Sequence, residues 1–169
     1  LQDSFATKFV DTKILYNQII KHSRHQFIQG DVEHWWHEES SKGTRTRFSD
    51  DLLWLPFAVI QYINHTGDYS ILNVITPYLD APGVKDGEMG RYDKYCESNM
   101  KESIYNHCKK AIDRACNFGE NGLPKIGIGD WNDGFSNIGP KGKGESVWLG
   151  FFLFEILQEF AKIADWMSK

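Results

Sequence analysis

The 169-residue sequence has no excess of basic charge: 19 Lys and Arg against 23 Asp and Glu leave a formal net charge of -4. Without a positive field to attract phosphates, a nucleic-acid partner is not expected. It also lacks any run approaching the ~20 apolar residues of a membrane-crossing helix. The richest stretch, Val147 to Leu157, is interrupted by Glu155, so no membrane contact by this segment is expected. Cysteine is scarce. Cys96, Cys108 and Cys116 show no Cys-x-x-Cys spacing, which argues against a zinc ribbon or disulfide framework and fits a reducing compartment. Cys108 and Cys116, eight apart on an expected helix, read as buried, inert thiols. Leu1 to Phe5 has neither the basic start nor the apolar core of a signal peptide, and both ends are expected to continue into a longer chain. No Val/Ile-rich alternating strand pattern is found either, which leaves an all-α fold as the expectation.

Aromatic residues, by contrast, are abundant, at 14% with six Trp, and several sit in polar, Gly-containing segments. Flat aromatic faces stack on the C–H faces of sugars while Asp, Asn, Arg and His bond the hydroxyls, so the composition suits carbohydrate. Core packing or a protein interface could use the same residues.

Helical spacing predicts a first helix over about Phe5 to Phe27, ending near Gly30. Gly30 to Ser49 then reads as a long irregular connection. Ser49 or Asp50 is placed to cap a helix carrying Leu52 to Ile63 up to Gly67, with Pro56 in its first turns. A short helix is predicted over Tyr69 to Leu79, a surface loop over Ala81 to Met100, a helix over Glu102 to Phe118, an irregular Gly-rich stretch over Asn121 to Ser146, and a very apolar helix over Val147 to Met167. Long loops on alternate connections suggest a helical toroid with its loops at one end.

Three segments carry chemistry. In Gly127-Ile128-Gly129-Asp130-Trp131-Asn132-Asp133-Gly134, two carboxylates lie three apart around a Trp and an Asn. Glycosyl transfer requires a carboxylic acid beside the leaving oxygen, and a second Asp with a Trp wall could keep that acid protonated. An Asx-rich turn explains the same residues. Gly30-Asp31-Val32-Glu33-His34-Trp35-Trp36-His37 lacks the spacing of a zinc helix, leaving either a sugar- or phosphate-facing loop or a packed aromatic one. In Arg45-Thr46-Arg47-Phe48-Ser49-Asp50-Asp51, forked donors and carboxylates precede a helix. They could grip hydroxyls or an anion, or merely cap the helix with local ion pairs.

Together with Asp51-Leu52-Leu53-Trp54-Leu55-Pro56 and Gly142-Lys143-Gly144-Glu145-Ser146-Val147-Trp148-Leu149-Gly150, these runs resemble glycoside hydrolase family 94, the inverting phosphorylases of cellobiose, chitobiose, laminaribiose and β-1,2-glucan. Their order is the family's, and their wording is nearest its β-1,2-glucan branch, which includes the phosphorylase-like domain of cyclic β-1,2-glucan synthases. The resemblance implies that residues 1–169 are a fragment of an (α/α)6 barrel catalytic domain. It implies Asp133 as general acid, Trp131 lining the sugar subsite, and Arg45 and Asp51 holding the non-reducing-end glucose, with Asp130, His34 and Trp36 as further substrate contacts.

It also implies no metal and no cofactor, with inorganic phosphate as the co-substrate that attacks a β-glucan oligosaccharide to give α-glucose 1-phosphate. The family's phosphate-binding His and Thr-Gly would lie downstream, so the remainder of the parent chain is an expected partner and the fragment alone is expected to be inactive. The implied location is cytoplasmic, also for an inner-membrane parent. Two other readings stay open: an inverting hydrolase in which Asp51 activates water, and a non-catalytic glucan-binding module that relies on Trp35, Trp36 and Trp131.

Overall fold

The computed structural model describes residues 1–85 and 87–169. Among them are four α-helices, Thr12–Ser23 (α1), Trp54–Thr66 (α2), Ile104–Ala115 (α3) and Val147–Met167 (α4). There are five strands, Glu33–His37 (β1), Lys42–Thr46 (β2), Ile75–Asp80 (β3), Gly90–Lys94 (β4) and Cys96–Ser103 (β5). The strands form two antiparallel sheets, one ordered β1-β2-β4 and the other pairing β3 with β5. The expected all-α fragment of an (α/α)6 barrel is therefore corrected to a mixed α/β arrangement.

The helices follow from their caps and apolar faces. Asp11 accepts from Lys13 N at 2.9 Å and starts α1, so residues Gln2–Phe9 coil separately in 3-10 turns and the predicted single helix from Phe5 is divided. α1 stops at Ser23, whose hydroxyl is drawn to Ile20 O and to Thr76 on β3. Gly67 ends α2 at φ 69, a left-handed conformation that costs glycine little. Ser146 Oγ accepts from Leu149 N at 3.0 Å and starts α4, a cap worth about 1 kcal/mol. Leu15 and Ile19, Leu53, Ile60 and Ile63, Ile104, Cys108 and Ile112, and Leu149, Leu153 and Ile156 meet in one helical core. The opposite face of α4 leaves Val147, Phe151 and Phe154 exposed. Among the described residues no helix is long and apolar enough to cross a membrane.

Both sheets occur where loops or a helix were expected, and for different reasons. The inward positions of the first sheet are polar: Glu33 and Arg45 pair directly across β1 and β2, and both are buried. Ion pairs close that face, so the apolar alternation that announces a strand is missing. Gly43 allows the close pass of the hairpin, since a Cβ there would meet the Glu33 carboxylate and lie 2.8 Å from Trp35 O. In the second sheet, the predicted helix over Tyr69 to Leu79 gives way to a 3-10 turn at Tyr69–Asn73 and to β3. Ile75, Thr76 and Tyr78 are strand formers, and Pro77 cannot donate to a helix. Its partner β5, Cys-Glu-Ser-Asn-Met-Lys-Glu-Ser, is mostly exposed and carries no periodic signal. Of the two cysteines expected to be buried, Cys108 is; burial pushes its thiol up. Cys116 is exposed because α3 ends before it.

Candidate active site

The Gly-rich loop is stitched onto the segment between β2 and α2. Ser49 N donates to Gly129 O at 3.0 Å, the Ser49 hydroxyl reaches Ile126 O and Gly129 O at 3.1 Å each, and Ile128 N donates to Arg47 O at 3.3 Å. Gly127 makes this approach possible: it has φ 65, and a Cβ there would collide with Arg47 O. Two motifs 80 residues apart are thereby joined, which brings Asp133 and Trp131 to the same cleft as Asp50 and Asp51.

Within the loop, the turn reading and the catalytic reading apply to different residues. Asp130 is buried at 5% exposure; it accepts from Ser146 Oγ at 2.5 Å and from Asn132 N at 3.0 Å. Asn132 in turn accepts from Gly134 N at 3.0 Å. These two build the turn and pin it to the start of α4. Trp131, 62% exposed, and Asp133, with 66% of its side chain exposed, are left on the cleft. Among the described residues nothing donates a hydrogen bond to the Asp133 carboxylate; His34 Nε2 lies 4.0 Å from it.

The cleft has a volume of about 280 Å3 and includes His22, His25, His34, Trp36, Asp50, Asp51, Trp54, Trp131 and Asp133 in its walls. His34 lies on β1, with Nδ1 3.0 Å from each oxygen of Asp51. The bond to Asp51 raises the histidine's pKa, with Asp133 and Asp50 adding to the effect against the opposing effect of burial. Asp50 is pushed up to about 6 by burial and by Asp51, although Trp54 Nε1 donates to it at 2.9 Å. Trp36 stacks on His25 at 3.7 Å between ring centroids, and His25 Nδ1 lies 2.5 Å from Glu33 Oε2. Since a carboxylate only accepts, Nδ1 is the nitrogen that carries hydrogen. Burial lowers His22 to about 4.

Five of the seven sequence-predicted site residues, Asp133, Asp51, Trp131, His34 and Trp36, thus line one cleft. Asp130 stands behind it as described. Arg45 is not brought to it either. It is fully buried, and its five N–H groups meet Asp31 twice, at 2.6 and 2.7 Å, Ala81 O at 2.8 Å, Pro82 O at 3.0 Å and Gln29 at 2.9 Å, with Phe27 stacked 3.8 Å away. A guanidinium has five donors, so none remains for a ligand in this arrangement. Trp35 stands on the sheet against Tyr92 at 5.5 Å and does not line the cleft. Sequence reasoning missed Asp50, Trp54, His22 and His25 as cleft residues. Asp50 and Trp54 stand in the motifs but read as helix cap and helix, whereas nothing local marks His22 on α1 or His25 in the turn after it. Among the described residues no cluster of three or more His, Cys, Asp or Glu could hold a metal ion.

Carboxylates beside half-exposed indoles, one of them free of hydrogen bonds, are the equipment for binding a polyhydroxyl ring and protonating an oxygen on it. The chain is 39% identical over 165 residues to the cyclic beta-(1,2)-glucan synthase NdvB of Rhizobium meliloti (strain 1021), covering 97% of this chain and 6% of that protein. It is 32% identical to the solabiose phosphorylase of Paenibacillus borealis (69% of this chain, 13% of the relative). It is also 32% identical to the N,N'-diacetylchitobiose phosphorylase of Vibrio proteolyticus (78% and 14%). The chain thus spans a small part of each relative. The family model for the glycosyl hydrolase 94 superfamily, catalytic domain, matches residues 1–169, and the chain belongs to that family.

Proposed function

We propose that the protein carrying this chain cleaves β-glucosides by inverting phosphorolysis, with Asp133 as the acid that protonates the departing oxygen. The carrying observation is the cleft that gathers Asp133, Trp131, Asp51, His34 and Trp36, with the Asp133 carboxylate left without a hydrogen-bond donor among the described residues. The phosphorylases among the relatives support phosphate as the attacking group, and the glucan synthase supports a β-1,2-glucan oligosaccharide as the sugar. Trp131 and Trp36 offer ring faces, and Asp51 a carboxylate for hydroxyls. In this scheme phosphate is the nucleophile and co-substrate, α-glucose 1-phosphate is the product, and neither metal nor organic cofactor takes part. The remaining parent chain completes the phosphate site, and the cytoplasm, where free thiols persist, is the proposed compartment.

The experiment is incubation of the full-length protein with β-1,2-glucan oligosaccharides, with and without phosphate. Glucose 1-phosphate that forms only with phosphate supports the reading. Cleavage of equal rate without phosphate would make the protein a hydrolase. Binding without cleavage in either condition would make it a glucan-binding module.

A further inference from the structure

A general acid has to be aimed, yet Asp133 sits on an exposed Gly-rich loop with no hydrogen bond to its carboxylate among the described residues. One side chain faces it. His34 Nε2 lies 4.0 Å from Asp133 Oδ2, and His34 is itself fixed from behind. Its Nδ1 meets both oxygens of Asp51 at 3.0 Å, Asp51 accepts from Thr46 Oγ1 at 3.1 Å, and the imidazole packs on Phe48 at 4.9 Å. Because Asp51 can only accept, Nδ1 carries hydrogen, and the other nitrogen, on the far side of the ring, is aimed at Asp133.

We propose that Asp51 and His34 form a positioning arm for Asp133, in which the cationic imidazole draws in the ionised carboxylate and releases the protonated one. The acid then turns toward the glycosidic oxygen when it carries the proton it has to give. The proton passes from Asp133 to that oxygen as the bond to C1 breaks and a phosphate oxygen bonds to C1. Asp133 is left as a carboxylate, returns to His34 and takes its next proton from water, while His34 keeps both of its own. This inference rests on the phosphorolysis reading for its catalytic consequence, but not for the contact itself.

The surroundings favour the charged imidazole. Asp50 and Asp51 face it from the turn before α2 and Asp133 from the Gly-rich loop, and together they raise its affinity for the second proton. Across the cleft, Glu33 of β1 is paired with His25, in the turn after α1, and His22 is neutral near pH 7 because burial lowers it to about 4. The Leu1 ammonium also borders the cleft, but among the described residues the ion pair of Asp133 is with His34.

The test is the titration of His34, followed by NMR with ring-labelled histidine in the full-length protein and with His34→Gln to identify the resonance. Asp133→Asn is expected to lower the midpoint by ~0.5–1 pH unit, at the low end for an opposite charge at this distance. Asp51→Asn is expected to lower it further. A midpoint unmoved by Asp133→Asn overturns the arm. The titration needs no turnover, so it judges the contact even if the protein proves not to use phosphate. In the activity arm, His34→Gln is expected to lower kcat on the natural glycoside by ~10-fold, modest beside the loss of an acid itself, with KM held within about twofold. A rise in KM at unchanged kcat would make His34 a sugar ligand and overturn the proposal.

Discussion

Arg45 and Asp133 stand in motifs of the same apparent kind, short polar runs rich in charge, and the fold puts them to opposite uses. Around Arg45 everything is satisfied: Asp31, Gln29 and two carbonyls take all five donors, and the buried knot lies between β2 and the Ala81-Pro82 segment. Around Asp133 the described residues offer no hydrogen bond; the carboxylate projects into a cleft with His34 Nε2 at 4.0 Å. Charged groups that have found all their partners cannot turn to a ligand without first breaking bonds, whereas an unpartnered carboxylate is ready to exchange a proton. The difference marks structure from chemistry better than residue type does.

The sharpest break of that contrast is Asp133→Asn. In the full-length protein it is expected to slow phosphorolysis of natural glycosides by ~10²–10⁴-fold, the usual worth of general acid catalysis. An activated glucosyl fluoride, whose leaving group needs no proton, should be affected far less in the reverse direction. Equal losses on both would remove Asp133 from its role. Thermal stability should barely change.

Arg45→Met should do the reverse. It strands Asp31 as a buried carboxylate whose remaining cation is Arg114 at 3.7 Å, and breaking a buried pair from one side costs ~3–5 kcal/mol. Chemical denaturation would measure it. A stable Arg45→Met protein that has lost sugar affinity would instead return Arg45 to the binding site.

Asp50 is intermediate between the two, buried but on the cleft, and it makes the comparison pH-dependent. Its folded-state pKa of about 6 lies above the ordinary 3.8, so the folded protein holds its proton longer than the unfolded chain. Stability is therefore lost as pH rises from about 4 to 6, and the full penalty persists above that. Asp50→Asn keeps an acceptor for Trp54 and removes the charge. Melting temperatures of variant and wild type should diverge between pH 4 and pH 7, in the variant's favour; parallel curves would show that Asp50 is not held up. His34 has the same sign but acts at higher pH: its raised pKa contributes stability that is complete below about 6.5 and lost as pH rises through the folded value.

The smallest expected effect on stability is that of Trp131→Ala. With 62% of the residue exposed and Trp148 as its ring neighbour at 6.3 Å, truncation should alter stability by no more than ~0.5 kcal/mol, while sugar affinity falls. A loss of ~3–5 kcal/mol, as for a buried aromatic, would class Trp131 with Arg45 as structure.

Much of the site could be read in the chain itself. Asp133, Trp131, Asp51, His34 and Trp36 were legible as candidates because they stood in polar runs of unusual residue types that resemble a known family, and they meet in one cleft. The helices α2 and α4 were legible because caps and apolar spacing are local. The sheets were not, since one is closed by Glu33 and Arg45 instead of Val and Ile, and the other depends on a strand whose side chains are mostly in solvent. The sequence by itself determined which groups could do chemistry and where the capped helices run, because those depend on residue type and near neighbours. Only the tertiary structure decided that Ser49 would bind Gly129 O and carry Asp133 to His34, that Asp130 would be spent on Ser146, and that Arg45 would be enclosed. Those outcomes depend on which distant donor reaches which acceptor once water has left, and no local pattern records that pairing.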